Sequence, residues 1–293
     1  MESKVRESAF RRKIKALIPF QIQKFLYNFI KKFRLAKNIA KNKYAKEDIK
    51  KFLTDAGIKK GDAVMLHSSL GRVGYVEGGA DTIIEAFIEI IGEEGILIMP
   101  TFSAPEYDEK RKIYVFDVKK TPSYTGAIPE TFRLRNGVKR SISPMHSVAA
   151  HGKKAGWLVQ GHENCDNPYS MRGPFGKLYE LNAKICQIGV DQLANSCIHI
   201  VEDKIKFPIK IFSDKIKAEI IDENGKKKII WFRKHLDNLY KTRNNNILEK
   251  YLLEEKLMKI YPFGNTELRV HKVKDLVHLM EKLAKKGITI YNS

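Results

Sequence analysis

Residues 61–100 read GDAVMLHSSLGRVGYVEGGADTIIEAFIEIIGEEGILIMP. Ala63–Leu66 is an apolar run of strand length, and a polar, glycine-rich loop follows from His67 to Gly79. Ala80–Ile91 places Ile83, Ile84, Phe87, Ile88 and Ile91 on one helical face and closes on Gly92, which predicts an amphipathic helix. Gly95–Met99 is a second apolar strand, stopped by Pro100. This order is a βαβ unit, and it predicts a mostly parallel sheet with helices on its faces.

Working outward, Glu47–Ala56 reads as a helix ended by Gly57, and Ile128–Asn136 as another with Pro129 in its first turn. Residues 101–125 are a polar connection. A third strand, Ser147–Ala150, leads to a helix at Ala155–Val159 and a glycine- and proline-containing loop over 161–176. Leu178–Leu181 and a strand at Ile185–Val190 come next, then a helix beginning near Asn195 or Ser196. Alternating runs in 207–233 surround Glu223-Asn224-Gly225 and predict a hairpin or small antiparallel element. The tail from Lys234 reads as mainly helical, with an apolar run at Leu276, Val277, Leu279, Met280 and Leu283. The expected fold class is α/β, a three-layer sandwich with a mostly parallel central sheet, a small antiparallel element and an N-terminal basic helical extension.

The 293 residues carry 54 Lys plus Arg against 34 Asp plus Glu, a formal charge of +20. Residues 1–46 hold 14 of the basic residues and only Glu2 and Glu7 as acids. The expected division is therefore a basic arm, 1–46, and one α/β domain, 47–293. Within 9–39, Ile22, Phe25, Leu26, Phe29, Ile30 and Phe33 recur at helical spacing among lysines, with Pro19 as a break. Such a segment suits an anionic membrane surface, or packing on the body or a partner subunit with its lysines in water. A specific nucleic-acid reader is not expected, since basic charge alone attracts nucleic acid without selectivity. Cys165, Cys186 and Cys197 are an odd number without C-x-x-C spacing, which points to a reduced compartment and no disulfide framework. No run of about 18 apolar residues is free of charge. The expected location is cytoplasmic, with the arm able to touch the inner face of the membrane.

P-loop, Rossmann, zincin and nucleophile-elbow motifs are absent, and no metal site is expected. Three polar loops remain at strand ends, where open α/β sheets place ligands. The first is His67-Ser68-Ser69-Leu70-Gly71, with Gly78 and Gly79 ahead of a helix N-terminus that could receive an anion or simply form a capped turn. The second is Pro144-Met145-His146-Ser147. The third is Asn195-Ser196-Cys197-Ile198-His199-Ile200-Val201-Glu202, where Asn195 or Ser196 would cap a helix. His199 then lies in the first turn with Glu202 one turn later on the same face. This pair can serve as a general base with a supporting acid, or as a structural histidine at a helix start.

Together, GDAVMLHSSLGRVGYVEGGADTIIEAF, GILIMPTFS, TPSYTGAIPETFRLRNGVKRSISPMHSVAAHG, GPFGKLYEL and NSCIHIVED resemble, in order and spacing, the aminoglycoside 3-N-acetyltransferase family over about residues 47–205. The tail YPFGNTELRVHKVKDLVHLM is similar to the family's last helix. The resemblance implies acetyl-CoA as donor and direct transfer to an amino group without an acyl-enzyme. It places the family's catalytic histidine at His199, which would deprotonate the attacking amine, and its acid at Glu202. His67, Ser68, Ser69 and Leu70, with Thr101, Phe102 and Ser147, would line the CoA or acetyl end, and His146, Arg172 and Asp191 the acceptor side. Cys197 is a competing covalent nucleophile.

Two departures from the family pattern stand out. Its loop aspartate is missing from Leu193-Ala194-Asn195-Ser196, where Asp191 is the nearby acid, and its G-x-G-S-P segment is replaced by Ser170-Met171-Arg172-Gly173-Pro174. Arg172 would repel a polycationic acceptor and attract a phosphorylated or nucleotide-linked amino sugar. The resulting expectation is an acetyl-CoA-dependent N-acetyltransferase acting on an amino sugar, with an acceptor in surface-polysaccharide biosynthesis or an aminoglycoside. The alternative from another class is a noncatalytic, membrane-surface-associated adaptor with the same fold.

Overall fold

The computed structural model describes residues 42–291 except Lys206 and Pro208. The amphipathic stretch within 9–39, and the arm up to residue 41, lie outside the described residues. A compact unit spans Tyr44–Ser293, and its first helix, α1, is Lys46–Asp55.

The βαβ unit forms as the pattern requires. Strand β1 is Ala63–Ser68, helix α2 is Ala80–Ile91 and strand β2 is Ile96–Pro100, with β1 and β2 parallel. Ile83, Ile84, Ala86, Phe87 and Ile91 are buried along one stripe of α2, and withdrawing a side chain such as Phe87 from water contributes about 1.5–3 kcal/mol. Further strands are β3 (Glu106–Asp108), β4 (Ile113–Asp117), β5 (Lys139–Arg140), β6 (Val148–His151) and β7 (Lys184–Ile188). Later in the chain come β8 (Ile216–Ile221), β9 (Lys227–Phe232), β10 (Lys259–Phe263) and β11 (Thr266–Lys272). Seven of them make one sheet in the order β10-β11-β7-β1-β2-β6-β5.

That sheet corrects the expectation of a mostly parallel one. Only β7, β1 and β2 run parallel, while β6, β5, β11 and β10 are antiparallel to their neighbours. The apolar runs are uniform because both faces of the sheet are covered, and coverage dictates burial whatever the strand direction. Alternate residues point to opposite faces. Met65, Ile98, Val148 and Ile185 join one core with α4 (Ala155–Val159), α5 (Pro174–Glu180), α6 (Ile247–Glu254) and α7 (Val273–Ala284). Val64, Leu66, Leu97 and Met99 join a second with α1, α2 and α3 (Ala127–Arg133).

The hairpin around Glu223-Asn224-Gly225 is β8–β9, and it belongs to a four-stranded sheet, β9-β8-β4-β3. Strands β3 and β4 come from the segment read as a polar connection; β4 has only Ile113 and Phe116 buried, too few to announce a strand. The tail is less helical than expected. Tyr261-Pro262-Phe263 and Thr266–Lys272 form the β10–β11 hairpin on the sheet edge, and the last helix starts at Val273.

Candidate active site

A cleft of about 360 Å³ opens beside the carboxyl ends of the three parallel strands. His67 and Ser68 end β1, Pro100 ends β2, and Val190 with Leu193–Ser196 follows β7. This is where a parallel βαβ core leaves unfilled space, since the chain there turns away from the sheet. Phe102, Tyr124, Thr125, Pro129, Tyr169, His199 and Arg243 complete the lining.

His199 sits on a 3₁₀ helix, Ser196–Asp203, whose start is capped by Asn195: its Oδ1 accepts from the Cys197 N–H at 3.0 Å. In 3₁₀ geometry, side chains at i and i+3 eclipse. His199 and Glu202 therefore line up directly, and His199 Nδ1 lies 2.6 Å from Glu202 Oε1. His235 Nε2 lies 2.7 Å from the other oxygen, Oε2, and the Tyr291 hydroxyl donates to Oε1. Burial alone would raise the Glu202 carboxyl, but the charges and hydrogen bonds of His199 and His235 outweigh it and hold the group well below the usual carboxylate range. Burial pushes His199 down to about 4 against the pull of Glu202, so its imidazole is neutral at pH 7.

Arg243 Nη1 is 3.1 Å from His199 Nε2. A guanidinium only donates, so Nε2 holds the lone pair and Nδ1–H points to Glu202. That is the tautomer a general base needs. Tyr169 packs against both imidazoles, at 4.7 Å from the His199 ring and 5.0 Å from that of His235, and Phe212 stacks on the far side of His235 at 5.1 Å. His199, Glu202 and His235 are also the group among the described residues whose ligand atoms, all within 4.8 Å, could hold a metal ion. The hydrogen bonds between them already occupy the atoms a cation would bind, with His199 Nδ1 carrying the proton it gives to Glu202.

His67, buried and pushed down to about 3 by desolvation, makes no hydrogen bond through either ring nitrogen, and the Ser68 and Ser196 hydroxyls are likewise buried without partners. All three residues line the cleft. Uncompensated buried polar atoms are costly, and their convergence here supplies donors and acceptors for a ligand. Behind them, Gln187, Gln192, Asn195 and His271 form a buried hydrogen-bonded layer.

The other expected site residues fall elsewhere. Ser69 and Leu70 do not line the cleft, and Leu70 packs on the second core. Thr101 and Ser147 surround the buried guanidinium of Arg140: Nε donates to Ser147 Oγ at 3.0 Å, Nη2 to the Thr101 carbonyl at 2.8 Å and Nη1 to the Thr121 carbonyl at 2.6 Å. His146 is buried one layer back, edge-on to Phe102 and Tyr169. Arg172 is exposed and pairs with Asp166 at 2.6 Å, because Asp203 ties the preceding turn down through Ser170 Oγ and Met171 N–H. Asp191 caps Leu193 and accepts from Asn246. Gly78 and Gly79 form a turn closed by Thr82 Oγ1 on the Glu77 carbonyl and lie off the cleft lining. Cys197 is fully buried, with its thiol pushed up by desolvation.

The sequence reading missed Arg243, His235, Tyr291 and Tyr169. Arg243, His235 and Tyr291 sit far along the chain from the motifs, Tyr169 immediately precedes Ser170, and none has a local partner pattern that would single it out.

This fold and site define an acyltransferase of the aminoglycoside 3-N-acetyltransferase family: that family's model matches residues 65–285, and the chain belongs to it. The chain is 29% identical over 255 residues to a Bacillus subtilis (strain 168) protein, the SPbeta prophage-derived aminoglycoside N(3')-acetyltransferase-like protein YokD, covering 81% of this chain and 91% of that one. It is 30% identical over 198 residues to aminoglycoside N(3)-acetyltransferase VII of Streptomyces paromomycinus, covering 62% and 67%. Among solved structures, AAC-IIIb with CoASH superposes with a TM-score of 0.75 at 20% identity over 84% of this chain and 98% of that one. AAC-VIa bound to sisomicin gives 0.74 at 25% identity, over 84% and 99%.

Proposed function

We propose that this protein transfers the acetyl group of acetyl-CoA to an amine of an amino sugar by direct attack, with His199 as general base. The observation that carries this reading is the His199 ring itself: Nδ1 is fixed by Glu202 while Nε2 meets Arg243, and both His199 and Arg243 line the cleft. As the amine nitrogen bonds to the thioester carbon, its proton becomes acidic and passes to Nε2. Glu202, held ionised, stabilises the imidazolium. The oxyanion takes hydrogen bonds from the Ser68 or Ser196 hydroxyls. Collapse of the tetrahedral centre breaks the C–S bond, and the imidazolium returns the proton to the leaving thiolate. Catalysis by a covalent Cys197 adduct has no support from its burial, and a noncatalytic adaptor would have no use for a base aimed into a cleft.

For the acceptor we favour a carbohydrate of surface-polysaccharide biosynthesis on a nucleotide- or lipid-linked carrier, with the basic 9–39 segment resting on anionic membrane. The test is thiol release from acetyl-CoA by the purified chain with 2-deoxystreptamine aminoglycosides in one panel and nucleotide-linked amino sugars in another. Turnover of the second panel supports the reading. Turnover confined to aminoglycosides overturns the acceptor, and no turnover on either overturns the transfer.

A further inference from the structure

The described residues lining the cleft include no aspartate or glutamate, and Arg243 brings a permanent positive charge to its wall. Glu202, hydrogen-bonded to His199, has a fully buried side chain and three donors of its own. A polycationic acceptor would therefore meet a guanidinium, and no carboxylate among the described lining residues. Arg243 also stands in the way of the chemistry, since its Nη1–H occupies the Nε2 lone pair of His199 at 3.1 Å. An amine can deliver its proton to Nε2 only after that donor has left.

Both observations resolve together if the departure of the guanidinium is part of substrate binding. Resting on the transferase reading above, we propose that the acceptor carries an anionic group close to its reacting amine, and that Arg243 pairs with this group and thereby uncovers the base. Arginine suits the role because its planar fork matches a phosphate or carboxylate bidentately. The movement is local. The backbone of Arg243 is held by its N–H on the Leu239 carbonyl, and the next residue, Asn244, by its N–H on the Ile290 carbonyl, so the change is one of side-chain partners. The phosphates of CoA are separated from the thioester by the long pantetheine arm, so the anion beside the reacting amine belongs to the acceptor. Arg243 in its resting position also lowers the basicity of His199, and its departure leaves a stronger base in addition to an accessible one.

The test compares glucosamine, glucosamine 6-phosphate, a uridine-diphosphate-linked amino sugar and a 2-deoxystreptamine aminoglycoside, using the full chain at saturating acetyl-CoA. The expected result is a kcat/KM at least about tenfold higher for an anionic amino sugar than for glucosamine, lost in Arg243→Gln and kept in part by Arg243→Lys. The phosphate and diphosphate arms distinguish a sugar phosphate from a sugar nucleotide. Equal use of neutral and anionic sugars, preference for the polycation, or an unchanged preference in Arg243→Gln would overturn the proposal. Calorimetric binding of the same sugars to the CoA-loaded protein separates it from the transfer reading. Anion-selective binding that disappears in Arg243→Gln, without turnover, sustains the role of Arg243 and sinks the transferase assignment. Binding that ignores charge sinks the role of Arg243.

Discussion

The Tyr291 hydroxyl donates to Glu202 Oε1, the carboxylate oxygen that also receives the His199 Nδ1–H. Tyr291 lies beyond residue 285, where the family match ends, yet it touches the acid that orients the base. The neighbouring Ile290 is fully buried, and the Tyr291 ring packs edge-on against Phe207 at 5.4 Å. Tyr291→Phe keeps the ring and removes one donor. More negative charge then remains on Glu202 to stabilise the His199 imidazolium. We expect the acid limb of the pH–rate profile to move up by about 0.5–1 unit. A lower melting temperature with an unmoved profile would make Tyr291 structural only.

Removing the base is a harsher change. His199→Gln preserves a polar side chain in the same buried slot, and turnover should drop by about 10²–10⁴. Cys197→Ala should retain turnover, because that thiol is enclosed by the core and the proposed transfer does not use it. Loss of activity in the cysteine variant alone would reverse these roles.

Ser147 gives a contrasting case. Its hydroxyl donates to the Thr101 carbonyl at 2.7 Å and accepts from Arg140 Nε. Ser147→Ala leaves a buried guanidinium N–H unpaired, a cost of about 1–3 kcal/mol. Urea denaturation should register that loss while the KM for acetyl-CoA stays at the wild-type value. A raised KM with undiminished stability would put Ser147 in the cofactor site after all.

Stability should fall on mild acidification. Burial pushes His67 and His271 down to about 3 and His162 and His199 down to about 4. In the unfolded chain these groups titrate near 6.5. Between about pH 6.5 and 4 the unfolded state binds more protons, so stability present above 6.5 is lost as pH falls through this window. For His199 alone the gap of about 2.5 units corresponds to about 3 kcal/mol. Denaturation midpoints at pH 7.5 and 5 provide the check, and a flat dependence would contradict neutral burial of these imidazoles.

The membrane role of the arm is tested with the whole chain. Phe25→Ser together with Phe29→Ser removes apolar area from the proposed interfacial face without altering charge. Sedimentation with vesicles containing anionic lipid should fall at least about tenfold, given the free energy of withdrawing two aromatic rings from water. Equal sedimentation of both proteins would remove the membrane from the account.

The parts of this architecture readable from sequence are those with local periodicity or a compact motif. The helix Ala80–Ile91 has the predicted limits, because a 3.6-residue repeat is set by neighbours. Asn195 as the cap, and the pairing of His199 with Glu202, follow from a short spacing. Strand direction at Val148–His151 was not readable, since its residues are buried on both faces in either orientation. Arg172 was misjudged for a related reason: a charge next to a motif says nothing of its rotamer, and Asp166 draws the side chain outward. The guanidinium that does reach the cleft comes from Arg243, 44 positions after His199, and only tertiary packing brings the two together.

The 3₁₀ form of Ser196–Asp203 has a mechanical consequence. With three residues per turn, His199 and Glu202 share an azimuth, whereas relaxation to α-helical winding would splay them by about 60°. In the proposed mechanism, catalytic competence is thus tied to the pitch of eight residues. Substitutions on the buried side of that helix, such as a larger residue for Ile198 or Ile200, could disarm the base by unwinding its support, leaving every catalytic side chain chemically intact.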